Sequence, residues 1–157
     1  MPAYGTGNGL AGTDQNMTSS FQTLLALTAQ TSGLRRGCLQ ELTIGANGPP
    51  NATDCSIEFD VSRQTAAGTS TAATPNPLNP ADPPATTVGA VDFTAEGTIT
   101  AASALINGAM NQRATFRWVA SPGSELFWPA TNLAGLAVRA KSATYASTMR
   151  AHAIHIE

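Results

Sequence analysis

The sequence predicts an all-β fold: an antiparallel β-sandwich that is jelly-roll-like, with about eight strands. Three observations lead to this fold class. Short segments that alternate apolar and polar residues recur along the chain. Glycine- and proline-rich turns separate these segments, and no segment carries a sustained helical pattern. A Greek-key sandwich with a different strand order is the alternative.

The strongest strand pattern lies at residues 111–120, and the predicted fold is organised around it. Alternate side chains of a strand point to opposite faces. One face carries the row Ala114, Phe116, Trp118 and Ala120. The other face carries Arg113, Thr115, Arg117 and Val119. The first row predicts core anchors, and the second presents two arginines.

The chain before this strand divides into an arm and several strands. Residues 1–17 are rich in Gly, Asn and Thr without apolar periodicity, which predicts an extended N-terminal arm ahead of a single domain at 18–157. Strands are expected at 21–29 and at 38–44, where Cys38, Leu42 and Ile44 would share a face. Cleaner alternation at 55–62 places Cys55, Ile57, Phe59 and Val61 inward, and Ser56, Glu58, Asp60 and Ser62 outward.

A proline-rich segment at residues 66–90 interrupts the strand pattern. Its five prolines are Pro75, Pro77, Pro80, Pro83 and Pro84. Such a segment cannot be a central strand, and we expect a long, ordered, partner-facing loop, with disorder as the alternative.

The remaining segments also predict strands, at 93–100, 125–128, 133–140 and 144–156. Residues 102–110 fit either a helical stripe or a strand, and Gly108 together with the β context favours a strand.

Composition limits the possible partners. The net charge is −2 and the pI is about 5.6, which argues against nucleic-acid binding. Charged residues form only 11% of the chain and Lys141 is the only lysine, a depletion typical of interfaces. No apolar run is long enough to predict a membrane span, and no secretion signal precedes the sequons at Asn16 and Asn51.

Candidate catalytic and metal-binding residues are few. His152 and His155 would face opposite sides of a strand, so they do not predict a metal site. Cys38 and Cys55 are too far apart to form a disulfide if their strands pair as a hairpin, which predicts buried thiols. Glu58 and Asp60 resemble an acid/base pair but lack a predicted cleft, and no catalytic motif is present. The sequence therefore predicts no enzyme activity, no cofactor and no metal.

Two groups of side chains are candidates for binding. Arg35, Arg36, Arg113 and Arg117 predict either contacts with a neighbouring subunit or pairs within the chain, for example with Glu58 or Asp60. Trp128 and Tyr145 predict either core packing or a carbohydrate-binding platform.

Several segments carry a likeness to known proteins. They are GLRRG at 33–37, IEFDVSR at 57–63, TAAGT at 65–69, LNPAD at 78–82, NQRATFRW at 111–118 and ASPG at 120–123. Together they resemble small structural proteins of tailed bacteriophages, and within that group capsid decoration, or cement, proteins. The likeness extends from about residue 33 to the end of the sequence.

The resemblance implies a β-sandwich on the outside of a virion capsid, assembled in the host cytoplasm. It implies the major capsid protein as partner and a homo-oligomer, trimer or dimer. Net charge and the lack of a long apolar run separately predict that neither nucleic acid nor membrane is bound. We expect an interface that includes Arg35, Arg36, Arg113, Arg117, Pro75, Pro77 and Pro80. We also expect the arm and the proline-rich loop to contact the capsid or sister subunits. A phage tail or baseplate module and a lectin-like sandwich are the alternatives.

Overall fold

The computed structural model describes residues 1–9 and 14–157, which form two antiparallel β-sheets packed around a shared core. The predicted class, an all-β antiparallel sandwich, is confirmed. The described residues contain no α-helix, only one 3-10 turn at Thr31–Gly33. They contain fourteen strands instead of about eight, because several predicted strands are divided and short edge pieces are added.

The strands follow one another along the chain in this order. They are β1 (Ala3–Gly7), β2 (Gln15–Asn16), β3 (Gln22–Thr28), β4 (Gly37–Ala46), β5 (Ser56–Ala66), β6 (Thr69–Ala73), β7 (Asn76–Pro77), β8 (Val88–Ala95), β9 (Thr98–Ile99), β10 (Ile106–Asn111), β11 (Thr115–Val119), β12 (Leu126–Trp128), β13 (Gly135–Lys141) and β14 (Thr148–Ile156).

Each sheet contains seven strands drawn from distant parts of the chain. The first has the order β11-β4-β14-β1-β7, with β12 also paired to β4 and β2 to β14. The second has the order β10-β5-β13-β3-β8-β6, with β9 also paired to β5. Consecutive strands therefore often lie in different sheets, and the sandwich is held together by pairings between residues far apart in sequence.

The alternation predicted at 55–62 is confirmed for the inward row and partly wrong for the outward row. Ile57, Phe59 and Val61 are buried in the core. Asp60 and Ser62 are buried as well, because the Arg139 side chain from the neighbouring β13 covers them and donates hydrogen bonds to both. A charged side chain on an adjacent strand thus buries a face that alternation alone predicts to be exposed to solvent.

A bulge in β4 changes which of its residues face the core. Pairing with β14 passes from Glu41 opposite Ile154 to Leu39 opposite His155, so Gln40 has no partner across the strand. One extra residue reverses the alternation. Leu39 therefore joins Leu42 in the core, and the prediction that Cys38 shares a face with Leu42 and Ile44 is wrong.

The predicted N-terminal arm is wrong where the structure describes it. β1 pairs with β14 over five residues and with β7 over two, and Tyr4 is fully buried. The segment shows no apolar period because Gly5 and Gly7 occupy its outer face, where an added Cβ would lie 3.2 Å from the His152 side chain. Residues 10–13 of the predicted arm lie outside the described residues.

The proline-rich segment at 66–90 is not one long loop. It forms β6 and β7, which are the outermost strands of their sheets, and then enters β8. Pro77 lies in β7, where its missing N–H is tolerated because the strand is at an edge. The exclusion of a central strand is confirmed for residues 66–87 but is wrong for residues 88–90, which begin β8 and pair with β3 on one side and β6 on the other.

The strand predicted at residues 111–120 is divided by a turn and lies at an edge instead of the centre. The Ala114 N–H donates to the Asn111 carbonyl at 2.9 Å, so β10 ends at Asn111 and β11 begins at Thr115. Phe116 and Trp118 are only partly buried against the core, and the Phe116 ring lies 4.5 Å from that of Phe59. The strand expectation for 102–110 is confirmed from Ile106 onward, and residues 101–102 form a turn.

Candidate functional site

The most distinctive surface of the sandwich is one of its two lateral edges, which is built by a single stretch of chain, residues 98–128. β9 and β10 from this stretch pair with β5, and β11 and β12 pair with β4. In the described part of the chain, these four strands have no partner on their other side. We call this surface the 98–128 edge.

Side-chain hydrogen bonds connect the strands of the 98–128 edge to the rest of the sandwich, first at the turn between β10 and β11. The Gln112 side chain is buried at the turn between β10 and β11 and accepts a hydrogen bond from the Asn51 N–H at 3.0 Å. Its amide also donates to the Thr53 carbonyl at 3.0 Å. Farther along the edge, the Arg63 guanidinium donates to the Phe127 carbonyl at 2.8 Å and thereby ties the two sheets. The edge is therefore a fixed surface.

The 98–128 edge is apolar for an exposed surface. Val119 is 52% exposed, Phe127 38% and Leu105 37%. Further apolar side chains are partly buried beside them: Ile106, Met110, Phe116, Trp118 and Leu126. Large side chains that remain half-exposed along one face are typical of surfaces that bind another protein.

Most of this edge also lacks the residues that usually protect a sheet edge, although Arg117 on β11 is charged. Between residues 98 and 121 the sequence has no proline, lysine, aspartate or glutamate. Natural proteins place such residues on edge strands because they discourage pairing with other chains. The opposite edge, formed by β6 and β7, does carry such protection, in Pro77 and in a bulge between Thr69 and Thr71.

The two arginines of this edge each have a carboxylate partner within the chain. Arg117 on β11 contacts Glu41 on β4 at 2.7 Å, and Arg113 in the turn contacts Asp54 at 3.0 Å. The hydrogen bond from Arg117 lowers the pKa of the Glu41 carboxyl and raises that of the guanidinium. Intramolecular pairing was one of the two alternatives, but the expected partners, Glu58 and Asp60, were wrong.

Glu58 and Asp60 instead bind cations on β13. Glu58 contacts Lys141 at 3.1 Å, and both oxygens of Asp60 accept hydrogen bonds from Arg139, at 2.9 and 2.5 Å. The Arg139 guanidinium also lies 4.7 Å from the centre of the Phe21 ring. The two carboxylates thus serve ion pairs that brace β5 against β13.

The seven predicted interface residues do not form one surface. Arg36 lies over the Phe127 ring at 4.3 Å, so it borders the 98–128 edge together with Arg113 and Arg117. Arg35 is exposed in the loop before β4. The three prolines lie on the opposite side: Pro75 is buried, Pro77 is in β7 and Pro80 is exposed. Arg36, Arg113 and Arg117 therefore lie on a different edge from the three prolines.

Of the two predictions for Trp128 and Tyr145, core packing is confirmed and the carbohydrate-binding platform is wrong. Trp128 is 1% exposed and Tyr145 is fully buried, with its hydroxyl donating to the Gly48 carbonyl at 3.1 Å. Burial leaves neither ring face open to a sugar. Both belong to the core cluster, as the core-packing prediction expects.

The histidines and cysteines are placed largely as predicted. His152 is exposed and His155 is fully buried, so they point to opposite faces of β14. Cys38 and Cys55 are buried free thiols, although their strands lie in different sheets and form no hairpin. Across residues 1–9 and 14–157, no three His, Cys, Asp or Glu side chains cluster as a metal site requires.

Comparison with protein-family models, with curated proteins and with solved structures gave no match. Within residues 1–9 and 14–157, no helix has the length and apolar character that a membrane crossing requires.

Arg117→Ala provides a first test of the 98–128 edge. Because the Arg117 guanidinium is exposed, we expect the free energy of unfolding to change little. Assembly with a partner should weaken more than monomer folding. Urea denaturation measures the stability, and sedimentation measures the assembly.

Arg139→Ala is the matched control, because it breaks an ion pair whose carboxylate, Asp60, is buried. Breaking a buried pair leaves an uncompensated charge, and we expect a loss of about 3 kcal/mol. A stability loss for Arg117→Ala as large as that for Arg139→Ala would assign Arg117 to the fold.

Proposed function

We propose that this protein is a structural virion protein, a cement or decoration protein that binds the outside of a tailed-phage capsid. Its partner is the major capsid protein, and several copies of the chain stabilise the junctions between capsomers. The observation that supports this role best is the 98–128 edge, a fixed, apolar and largely unprotected pair of sheet edges.

Several features favour a mechanical role. The charged side chains that the sequence singled out as a possible acid/base pair, Glu58 and Asp60, are engaged in ion pairs with Lys141 and Arg139. The exposed apolar side chains lie on a rigid sandwich, so little conformational entropy is lost when they are covered by a neighbour. These properties suit a chain that acts by binding to a lattice.

The mechanism is thermodynamic linkage. A subunit that binds the assembled shell more tightly than its separated pieces shifts the equilibrium towards the shell. Many copies on one lattice add avidity, so each contact can be modest. β11 and β12 of the 98–128 edge supply both parts of this contact: backbone groups available for pairing and apolar side chains beside them.

The deciding experiment locates the protein in purified particles. Immunogold labelling and quantitative mass spectrometry should place many copies on filled heads. Heads stripped of the protein should release DNA at a lower temperature, and adding the purified chain should restore their resistance. Labelling of tails alone would replace this proposal with the tail or baseplate alternative.

Two variants locate the lattice contact. Val119→Asp places a charge on the 98–128 edge, and Leu78→Asp places the same charge near β7, at a side chain that is 56% exposed. We expect Val119→Asp to reduce occupancy on heads and Leu78→Asp to leave it unchanged. Equal occupancy for both variants would remove the 98–128 edge from the contact.

A further inference from the structure

We propose that β10 is a homotypic pairing strand, which joins two copies of this chain by antiparallel β-sheet extension about a two-fold axis. The inference deepens the proposed function and rests on it for its biological setting. Its test uses the isolated chain, so it can fail or succeed independently of any binding to particles.

The pairing of β10 with β5 shows which backbone groups of β10 remain available to another strand. The Gln112 N–H donates to the Cys55 carbonyl at 3.0 Å, and the pairing register continues through Met110 opposite Ile57 and Gly108 opposite Phe59. Backbone groups of successive residues in an antiparallel strand point alternately to the two sides. The N–H groups of Asn107, Ala109 and Asn111 therefore point away from β5.

The carbonyls of Asn107 and Ala109 point the same way, whereas the Asn111 carbonyl already accepts the N–H of Ala114 in the turn. A second antiparallel strand can satisfy these donors and acceptors together. A two-fold axis beside Gly108 sets Asn107 of each copy opposite Ala109 of the other. Both partners then donate and accept, as an isologous contact requires.

The side chains of β10 permit this approach. All six residues of the strand are uncharged, so two copies do not repel each other. Gly108 lies near the proposed axis without a side chain, and Ala109 beside it has a short, exposed one. On the inner face, the partly buried Ile106 and Met110 would gain apolar neighbours from the second copy.

Charge favours a second copy over a charged partner strand. Asn107 lies opposite Asp60 and Ala109 opposite Glu58, and both carboxylates are paired with the cations of β13. The outer face beside β10 is therefore close to neutral. A neutral edge that presents both donors and acceptors is complementary to itself.

The opposite edge of the same sheet provides a contrast within the molecule. β6 is also a short uncharged edge strand, but a bulge between Thr69 and Thr71 disturbs its register, and Pro75 follows it. Bulges and prolines interfere with extension by another strand. The chain therefore protects β6 and leaves β10 able to pair.

The test compares Ala109→Lys with Ala72→Lys. Both replace an exposed alanine on an edge strand and change the net charge equally, but Ala72 lies in β6 on the far edge. Sedimentation velocity across a concentration series should show the native chain passing from its 16.1 kDa monomer to a dimer. We expect Ala72→Lys to dimerise like the native chain and Ala109→Lys to remain monomeric.

Residue-specific amide exchange of the native chain needs no variant. We expect the amides of Asn107 and Ala109 to become protected as concentration rises, whereas Gly108 and Met110, which face β5, are protected throughout. Ala109→Pro should abolish the dimer and keep the circular dichroism spectrum, because it removes only an outward-pointing N–H. A native chain that stays monomeric at its solubility limit would overturn the proposal. So would a dimer that forms equally well with Lys at position 109, or unprotected Asn107 and Ala109 amides in a dimer.

Discussion

Trp128→Ala is expected to lower the free energy of unfolding by about 3 to 5 kcal/mol, the range for removing a buried tryptophan or phenylalanine side chain. Trp128 is the largest of the fully buried side chains, and its ring lies 5.7 Å from that of His155. The fit is close: a Cβ added to Gly37, on the paired strand β4, would lie 2.1 Å from the Trp128 ring. Neither glycine backbone nor imidazole can fill the space that the indole leaves. Urea denaturation at neutral pH measures the loss.

Phe127→Ala is the matched control, one residue earlier on the same edge strand. Phe127 is 38% exposed and its clearest contact is the Arg36 guanidinium, so we expect a loss of at most about 1 kcal/mol. Because Phe127 lies on the 98–128 edge, its removal should weaken assembly more than folding. If Trp128→Ala kept full stability but lost binding to sugars, the indole would have to be a surface group, contrary to its burial.

Alternation of apolar and polar residues was sufficient to predict the fold class and the inward face of β5. It failed where a residue's environment is set by another strand. Asp60 is buried by Arg139 from β13, and no local pattern near Asp60 contains that information. The bulge at Gln40 likewise depends on pairing with β14.

β1 was missed for a related reason. A strand is recognised in a sequence by the pattern of its side chains. Gly5 and Gly7 have none, and the His152 ring of the neighbouring strand packs against them. Tyr4 alone cannot establish a period. The strand is specified by its fit between β14 and β7, which becomes visible only when the chain has folded.

The candidate site was predicted in part. Arg113 and Arg117 were recognised as paired or interfacial, but their partners, Asp54 and Glu41, depend on sheet order and could not be chosen from the sequence. The strand at 111–120 was expected to be central because its apolar row is strong. Residues 98–121 lack proline, lysine and acidic residues. The sheet order gives this composition its meaning, because it places the exposed edges of both sheets in this stretch of chain.

Acidification from pH 7 to pH 5 is expected to destabilise the protein by about 2 kcal/mol through His155 alone. The imidazole is fully buried, stacks on Tyr4 at 5.5 Å, and neither ring nitrogen has a hydrogen-bond partner in the described residues. Burial lowers the pKa of His155 from 6.5 to about 4, and the nearby Glu157 carboxylate opposes this only in part. Between these two values the unfolded chain binds the proton and the folded chain does not. Stability from this group is therefore complete above about pH 6.5 and is lost as the pH falls towards 4.

Glu157 titrates in a separate, lower window. Burial alone would raise its pKa, but hydrogen bonds from Thr87 and Thr86 outweigh burial and lower the pKa below the usual 4.5. Its contribution is therefore retained at pH 5 and is lost only under more acidic conditions. Measurements between pH 7 and pH 5 isolate the histidine.

His155→Phe keeps an aromatic ring between Tyr4 and Trp128 and removes both unpaired nitrogens. We expect this variant to unfold with nearly the same free energy at pH 7 and pH 5, whereas His152→Gln, at the exposed position on the same strand, should retain the native pH dependence. Urea denaturation at the two pH values measures all three proteins. A native chain whose stability is flat across this range, or a His155→Phe variant that keeps the full loss, would show that the imidazole is solvated or protonated in the fold. His155 lies opposite Tyr4 on β1 and Leu39 on β4, so its protonation would place a charge directly beside the strand that the sequence did not reveal.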